Sequence, residues 1–215
     1  MRSKGRLFLV GAGALARELV SWIPLEATEW TEWAFAGFLS DSADALRDYP
    51  EYSPGVVGDI GSFQPQPGDG FIMAIADPKA KLQIAQQLEA RGAQFLNFIH
   101  ASALVARHVQ IGRGVVICPN TVVSCHAQIG DFVEINLAST IGHDVKIGPG
   151  CTLSAHVDIT GFAVLEEGVF LGSHASVLPR ARVGAYAKVG AGTVVLRSVN
   201  AGATVMGVPA KQILP

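Results

Sequence analysis

From residue 99 onward the chain keeps a strict six-residue beat. Ile, Val or Leu stands at 99, 105, 111 and every sixth position through 195, seventeen in succession without a miss. Four residues after each comes a small or β-branched residue, from Ala103 and Val109 through Thr193 and Val199. Self-similarity at a fixed short period is the mark of a solenoid, and a six-residue step belongs to a parallel β-helix. Each hexad supplies one short strand and one corner of a triangular prism, so that three hexads complete an 18-residue coil. The large aliphatic fills the prism and the small residue fits where the walls converge. Glycine recurs directly after the aliphatic, at Gly112, Gly130, Gly142, Gly148, Gly172, Gly184 and Gly190, where it is expected to supply unusual backbone angles to a tight corner.

Residues 1–98 lack that period. "RLFLV" reads as a strand, "GAGALARELVSWI" as a glycine turn opening a helix, "AFAGFLSD" and "GFIMAIAD" as two further strands. "PKAKLQIAQQLEARG" reads as a helix stopped by Gly92, and the Pro- and Gly-rich stretch between Tyr49 and Gly70 as loop around one short strand. Alternating strands and helices predict a small Rossmann-like α/β domain over 1–98, ahead of the parallel β-helix over 99–215.

Composition removes several classes of function. Sixteen basic and eighteen acidic side chains give a net charge of −2, which leaves no excess to grip a phosphate backbone, so nucleic acid is not expected as a partner. Apolar residues make up 49% and charged residues 16%, enough for a sizeable core. Cys118, Cys125 and Cys151 form no CxxC pair, which suits a reducing compartment better than a disulfide framework. No apolar run approaches the roughly 18 residues of a membrane span. "MRSKGRLFLVGAGALA" imitates a secretion signal, but two glycines break its apolar stretch, and a strand running into a glycine turn is preferred. A cytoplasmic protein is expected.

Two motifs carry chemistry. "GAGALA" matches G-x-G-x-x-A at Gly11, Gly13 and Ala16 at the mouth of a helix, where backbone N–H groups can cradle a phosphate, a purely structural glycine turn being the alternative. Asp41, after the second strand, is placed to bond a ribose or base. In the solenoid, folding at 18 residues per coil stacks His108, His126 and Asp144 in one column and His156 with His174 in another. Such columns admit a metal held between subunits or plain surface polarity, and no metal is assigned. His143 is alone in its column, between Cys125 and Gly161, with Asp144 beside it and Asn136 one hexad back. An imidazole next to a carboxylate suits a general base. Neighbours on a strand point to opposite sides, so such a pair must form at a corner or through the backbone.

The segments "FLVGAGALAREL", "AGFLSD", "IMAIADPKAKLQIAQQLEARG", "INLASTIGHDVKIG" and "VMGVPAKQI" are together similar to a known family. The chain resembles, end to end, the nucleotide-sugar acyltransferases of the sialic acid O-acetyltransferase type, and most of all the N-acetyltransferases of nucleotide-linked 4-amino-4,6-dideoxysugars. The resemblance implies a left-handed sense for the β-helix, acetyl-CoA as cosubstrate, a nucleotide-linked amino sugar as substrate, and a homotrimer with active sites between subunits. It implies His143 as catalytic base with Asp144 as its partner, and Asn136 near the sugar. The nucleotide would lie on Gly11, Gly13, Ala14 and Asp41, and the coenzyme along Gly161, Gly172 and Lys211. The sequence departs from the family where relatives carry Gly-His and this chain has Ala14 and Leu15, which leaves the sugar or base contact there open. O-acetylation and a metal-dependent β-helix hydratase stand as the alternatives.

Overall fold

A computed structural model describes residues 5–23 and 32–213. They divide into two compact units, one reaching to Ala76 and resuming over Ala80–Asn97, the other taking in Asp77–Lys79 and running on from Phe98.

The first unit is a five-stranded parallel sheet of β1 (Gly5–Val10), β2 (Trp33–Leu39), β3 (Val56–Gly58), β4 (Gly70–Met73) and β5 (Gln94–Phe95), in the order β3-β2-β1-β4-β5. Among the described residues it carries two helices, α1 (Ala14–Trp22) after β1 and α2 (Pro78–Ala90) after β4. "RLFLV" is buried from Leu7 onward, as a central parallel strand must be. The loop that carries β3 on to β4 is pinned by two arginines. Arg91 donates to the carbonyls of Ile60, Gly61 and Phe63, and Arg6 makes a two-bond pair with the nearly buried Asp69. Helix α2 ends at Gly92, whose φ of 95° is open to glycine at little cost. The chain runs outward from β1 through β2 to β3, then returns to the far side of β1 to lay down β4. The strand order therefore reverses between β1 and β4, whose ends Val10 and Met73 lie side by side.

The second unit is a β-solenoid. Three sheets form its walls, and their parallel strands pair at 18-residue intervals, as in Val122↔Thr140 and Thr140↔Asp158. Two walls hold six strands each; the third holds eight, the last of which, Lys211–Gln212, runs antiparallel to Thr204–Met206. The aliphatic of each hexad faces inward. Ile117, Val123, Ile129 and their successors through Val195 are buried in one continuous core, with Ile99, Val105 and Ile111 of the first coil only partly covered. Full burial of one such side chain contributes about 1.5–3 kcal/mol, so the column dominates the stability of this unit.

The corners correct one expectation. Left-handed backbone falls three positions after the aliphatic rather than directly after it. Every sixth residue from His108 to Gly192 has φ between 55° and 68°. The glycines that follow the aliphatic are absent from that set. They are glycine because coils touch there: a Cβ on Gly130 would stand 2.8 Å from the backbone nitrogen of Pro149, and one on Gly142 2.8 Å from that of Gly161. A second expectation fails at the end of the repeat. Arg182 and Val183 pair with Ser198 and Val199, only 16 residues on, because Leu196 and Arg197 alone connect two walls. Val199 is thus the inward aliphatic of a new strand, not the small residue that trails Val195.

The two glycine roles separate by mutation. Gly130→Ala is expected to lower the thermal midpoint by several degrees, in line with the ~1–3 kcal/mol of an overpacked site. Gly192→Asn, at a left-handed position with open space where a Cβ would stand, is expected to cost under ~1 kcal/mol, since asparagine tolerates that region. Melts followed by circular dichroism check the contrast, and equal losses would mean that φ rather than contact dictates both.

Candidate active site

The left-handed corner explains most of the histidines. His, Asn, Asp and Gly tolerate positive φ better than other residues, and His108, His126, His156 and His174 all occupy that position. Their rings stack coil on coil, His108 on His126 at 5.3 Å and 6°, His156 on His174 at 4.7 Å and 3°. The columns seen in the sequence thus have a conformational cause. Ring lone pairs in such stacks lie in separate parallel planes and do not converge on one ion. Among the described residues no three His, Cys, Asp or Glu side chains gather as metal ligands.

His143 stands one place before the left-handed position, so tolerance of positive φ does not account for it. Asp144 takes that position, with φ 58°. The twist lets two sequence neighbours face the same side, and His143 Nδ1 lies 2.9 Å from Asp144 Oδ2. A carboxylate accepting from Nδ1–H leaves the Nε2 lone pair free to take a proton. Both side chains are open to ligand, at 54% and 41% exposure.

The next coil closes around the ring. A Cβ on Gly161 would stand 2.7 Å from both Cε1 and Nε2 of His143, so only glycine leaves room for the imidazole there. The Gly161 carbonyl accepts from Arg180 N–H at 3.1 Å, while its own N–H donates to no acceptor among the described residues. Phe162 N–H donates to the His143 carbonyl at 3.1 Å, and its ring meets the imidazole in a T-shaped contact, 5.1 Å between centroids at 88°. The Arg180 guanidinium lies 4.7 Å from the centre of the Phe162 ring. Neither Phe162 nor Arg180 was an expected site residue. Their signal was present: they are one and two 18-residue steps beyond Asp144 in the same column.

The remaining candidates fall elsewhere. Asn136 follows Glu134–Ile135, a strand of a different wall, and lies one corner before His143; its Oδ1 accepts from Leu137 N–H at 2.7 Å. Gly172 occupies Asn136's column two coils on, with its N–H on the Val189 carbonyl at 2.8 Å. Lys211 is exposed in the terminal antiparallel strand. One chain therefore unites His143, Asp144 and Gly161, and does not bring Asn136, Gly172 or Lys211 to them.

In the first unit Gly11 has φ 110°, and a Cβ on it would stand 2.7 Å from the Ala74 carbonyl oxygen. The glycine turn thus sits at the reversal between β1 and β4, where open α/β sheets take their ligands. Gly13 precedes α1 with open space where a side chain would be and no side-chain cap, and Ala14 begins the helix. The register Val10↔Leu39 puts Asp41, exposed two residues past β2, at the same edge of the sheet.

No family model matches the chain. A 71-residue stretch is 32% identical to the GDP-perosamine N-acetyltransferase of Escherichia coli O157:H7, covering 33% of this chain and 32% of that one. The aligned stretch thus spans about a third of the length of that curated relative. Among solved structures, PerB from Caulobacter crescentus in complex with CoA and GDP-perosamine is 28% identical over 97% of both chains, with a TM-score of 0.85. The acetyltransferase domain of PglB from Neisseria gonorrhoeae in complex with acetyl coenzyme A shares the fold at 24% identity and TM-score 0.83, over 98% of this chain and all of that domain. The resemblance read from the sequence, to N-acetyltransferases of nucleotide-linked amino sugars, is borne out.

Gly161→Ala is expected to push the His143 ring off its present position while leaving the thermal midpoint nearly unchanged, because the obstacle is a half-exposed side chain. A crystal structure of the variant checks this. An unmoved ring would mean that the imidazole does not depend on the glycine.

Proposed function

We propose that the chain is an acetyl-coenzyme A-dependent N-acetyltransferase acting on the 4-amino group of a nucleotide-linked 4-amino-4,6-dideoxysugar. The observation that carries this reading is the His143–Asp144 pair packed against Gly161, in a chain that matches PerB over 97% of its length. The neutral amine attacks the thioester carbonyl as His143 Nε2 takes its proton, and the C–N bond forms. The C–S bond then breaks, and the imidazolium returns the proton to the departing thiolate. Asp144 stabilises the imidazolium. The unengaged Gly161 N–H is the donor for the negative charge growing on the carbonyl oxygen; deleting a donor of this kind costs about 2.7–4 kcal/mol elsewhere. General base help supplies roughly 10²–10⁴-fold, and holding the two substrates together contributes the larger share.

The N-terminal unit is read as a Rossmann-like nucleotide holder. Its support is the glycine turn at the strand-order reversal and the uncapped start of α1: Gly13 and Ala14 present N–H groups suited to a diphosphate, Gly11, whose own N–H is held by the Leu39 carbonyl at 2.8 Å, shapes the turn around it, and Asp41 suits the ribose or base. The solenoid is read as left-handed. Asn136, Gly172 and Lys211 act from neighbouring copies in this reading, Asn136 at the sugar and Gly172 and Lys211 along coenzyme A. Their distance from His143 within one chain favours a homotrimer with active sites between subunits. No described helix is long and apolar enough to cross a membrane. The reaction is read as cytoplasmic, a reducing compartment that suits the free Cys118, Cys125 and Cys151.

A thiol-release assay with acetyl-coenzyme A and GDP-, UDP- and dTDP-linked 4-aminosugars, beside the matching hydroxysugars, tests the reading. Acetylation of an amine is expected; acetylation of hydroxysugars alone would overturn it. His143→Ala is expected to lower kcat by at least ~10²–10⁴-fold with an unchanged melting midpoint, and Asp144→Asn to cost less. Full turnover by His143→Ala would remove the pair from the mechanism.

A further inference from the structure

We infer that Phe162 is a positioning residue that holds the His143 imidazole in one orientation, so that Nε2 keeps a single direction. The inference rests on the acetyl-transfer reading above.

Conformation gives the first argument. Phe162 has φ 61°, a region that bulky residues rarely enter because Cβ crowds the carbonyl oxygen. Other aromatics at equivalent corners have packing reasons. Phe132 is buried to 3% exposure, fills the space beside Gly114 and lies under Arg113. Tyr186 covers Gly168 and donates its hydroxyl to Glu167. Phe162 is left 43% exposed, so burial does not account for an aromatic in a backbone conformation that disfavours one.

Geometry gives the second. The Phe162 ring stands at 88° to the imidazole with centroids 5.1 Å apart, and the backbones of the two residues are tied by the 3.1 Å bond from Phe162 N–H to the His143 carbonyl. Arg180 then fixes the ring: its guanidinium lies 4.7 Å from the Phe162 centroid, and its N–H bonds the Gly161 carbonyl. The torsion that turns an imidazole about its Cβ–Cγ bond is broad and soft. Asp144 restrains it through one nitrogen and Gly161 leaves room for it; Phe162 supplies the lateral wall that neither provides.

Phe162→Gly tests this cleanly, because glycine enters left-handed backbone freely and the variant is expected to keep or raise the melting midpoint. Its kcat is expected to fall roughly 10-fold or more, with KM for both substrates within about twofold of the parent value. Phe162→Tyr, which retains the ring, is expected to recover most of the loss. Long-range proton–nitrogen spectra should show one Nδ1–H tautomer of His143 in the parent chain and an averaged signal in Phe162→Gly. Parent-like kcat and ring signals in Phe162→Gly overturn the inference; if His143→Ala is inactive in the same assay, the acetyl-transfer reading survives. A His143→Ala variant with full turnover removes His143 from the mechanism and overturns the inference while leaving acetyl transfer itself in place; acetylation of hydroxysugars alone overturns the acetyl-transfer reading.

Discussion

Hydrogen bonds parallel to the long axis tie each coil of the solenoid to the next. Val122 N–H reaches the Ser139 carbonyl, Ser124 the Ile141 carbonyl and Thr140 the Val157 carbonyl, each 17 residues ahead. At the corners the direction reverses, with Asp144 N–H on the Cys125 carbonyl and Phe162 N–H on the His143 carbonyl, 19 residues behind. Bonds that run both ways fix the height of each residue against its counterpart one turn away. Other features follow from that fixed spacing. Backbone meets backbone at glycines such as Gly130 and Gly142, rings one coil apart stack face to face, and a residue such as Gly161 can be set against His143 without either being buried. A sheet of independent strands can slip in register; here a slip in one wall would have to occur in all three.

The inward aliphatics were legible because burial is what hydrophobic periodicity reports. Positive φ is reported only through side-chain tolerance, and at this corner position the tolerant residues His108, Asn120 and Asp144 alternate with Phe132, Ala138, Phe162, Arg180 and Tyr186. That mixture hides the beat. It also misdirects attention to glycine, the residue most associated with positive φ, at positions where the actual constraint is contact. The shortened last turn at Val199 escaped notice because Val satisfies both the small and the aliphatic pattern. In the N-terminal unit four strands and both helices could be read from local pattern; the two-residue β5 (Gln94–Phe95) and the strand order that sets Gly11 against Ala74 depend on pairings far apart in the chain.

The candidate site shows the same division. His143 and Asp144 were legible as a pair, and the 18-residue step correctly put Gly161 over the imidazole. Asn136 looked adjacent because it is close in sequence, yet each corner of a triangular coil faces its own direction and a seven-residue offset moves a side chain to another edge. Counting by six finds the walls, and only counting by 18 finds neighbours. The histidines are sorted by the same arithmetic. Four of the six sit where the backbone favours them, which leaves His100, whose Nδ1 meets the Ser102 hydroxyl, and His143, which faces the Asp144 carboxylate.

The tail of the chain has a bearing on how the protein behaves in a crowded solution. A column of parallel rungs ends in an open row of unpaired amides, the same surface by which fibrils recruit new material. Lys211 and Gln212 fold back across the last rung in the opposite direction. On that one wall an incoming copy therefore meets a two-residue ribbon of reversed polarity, carrying Lys211, in place of another parallel step.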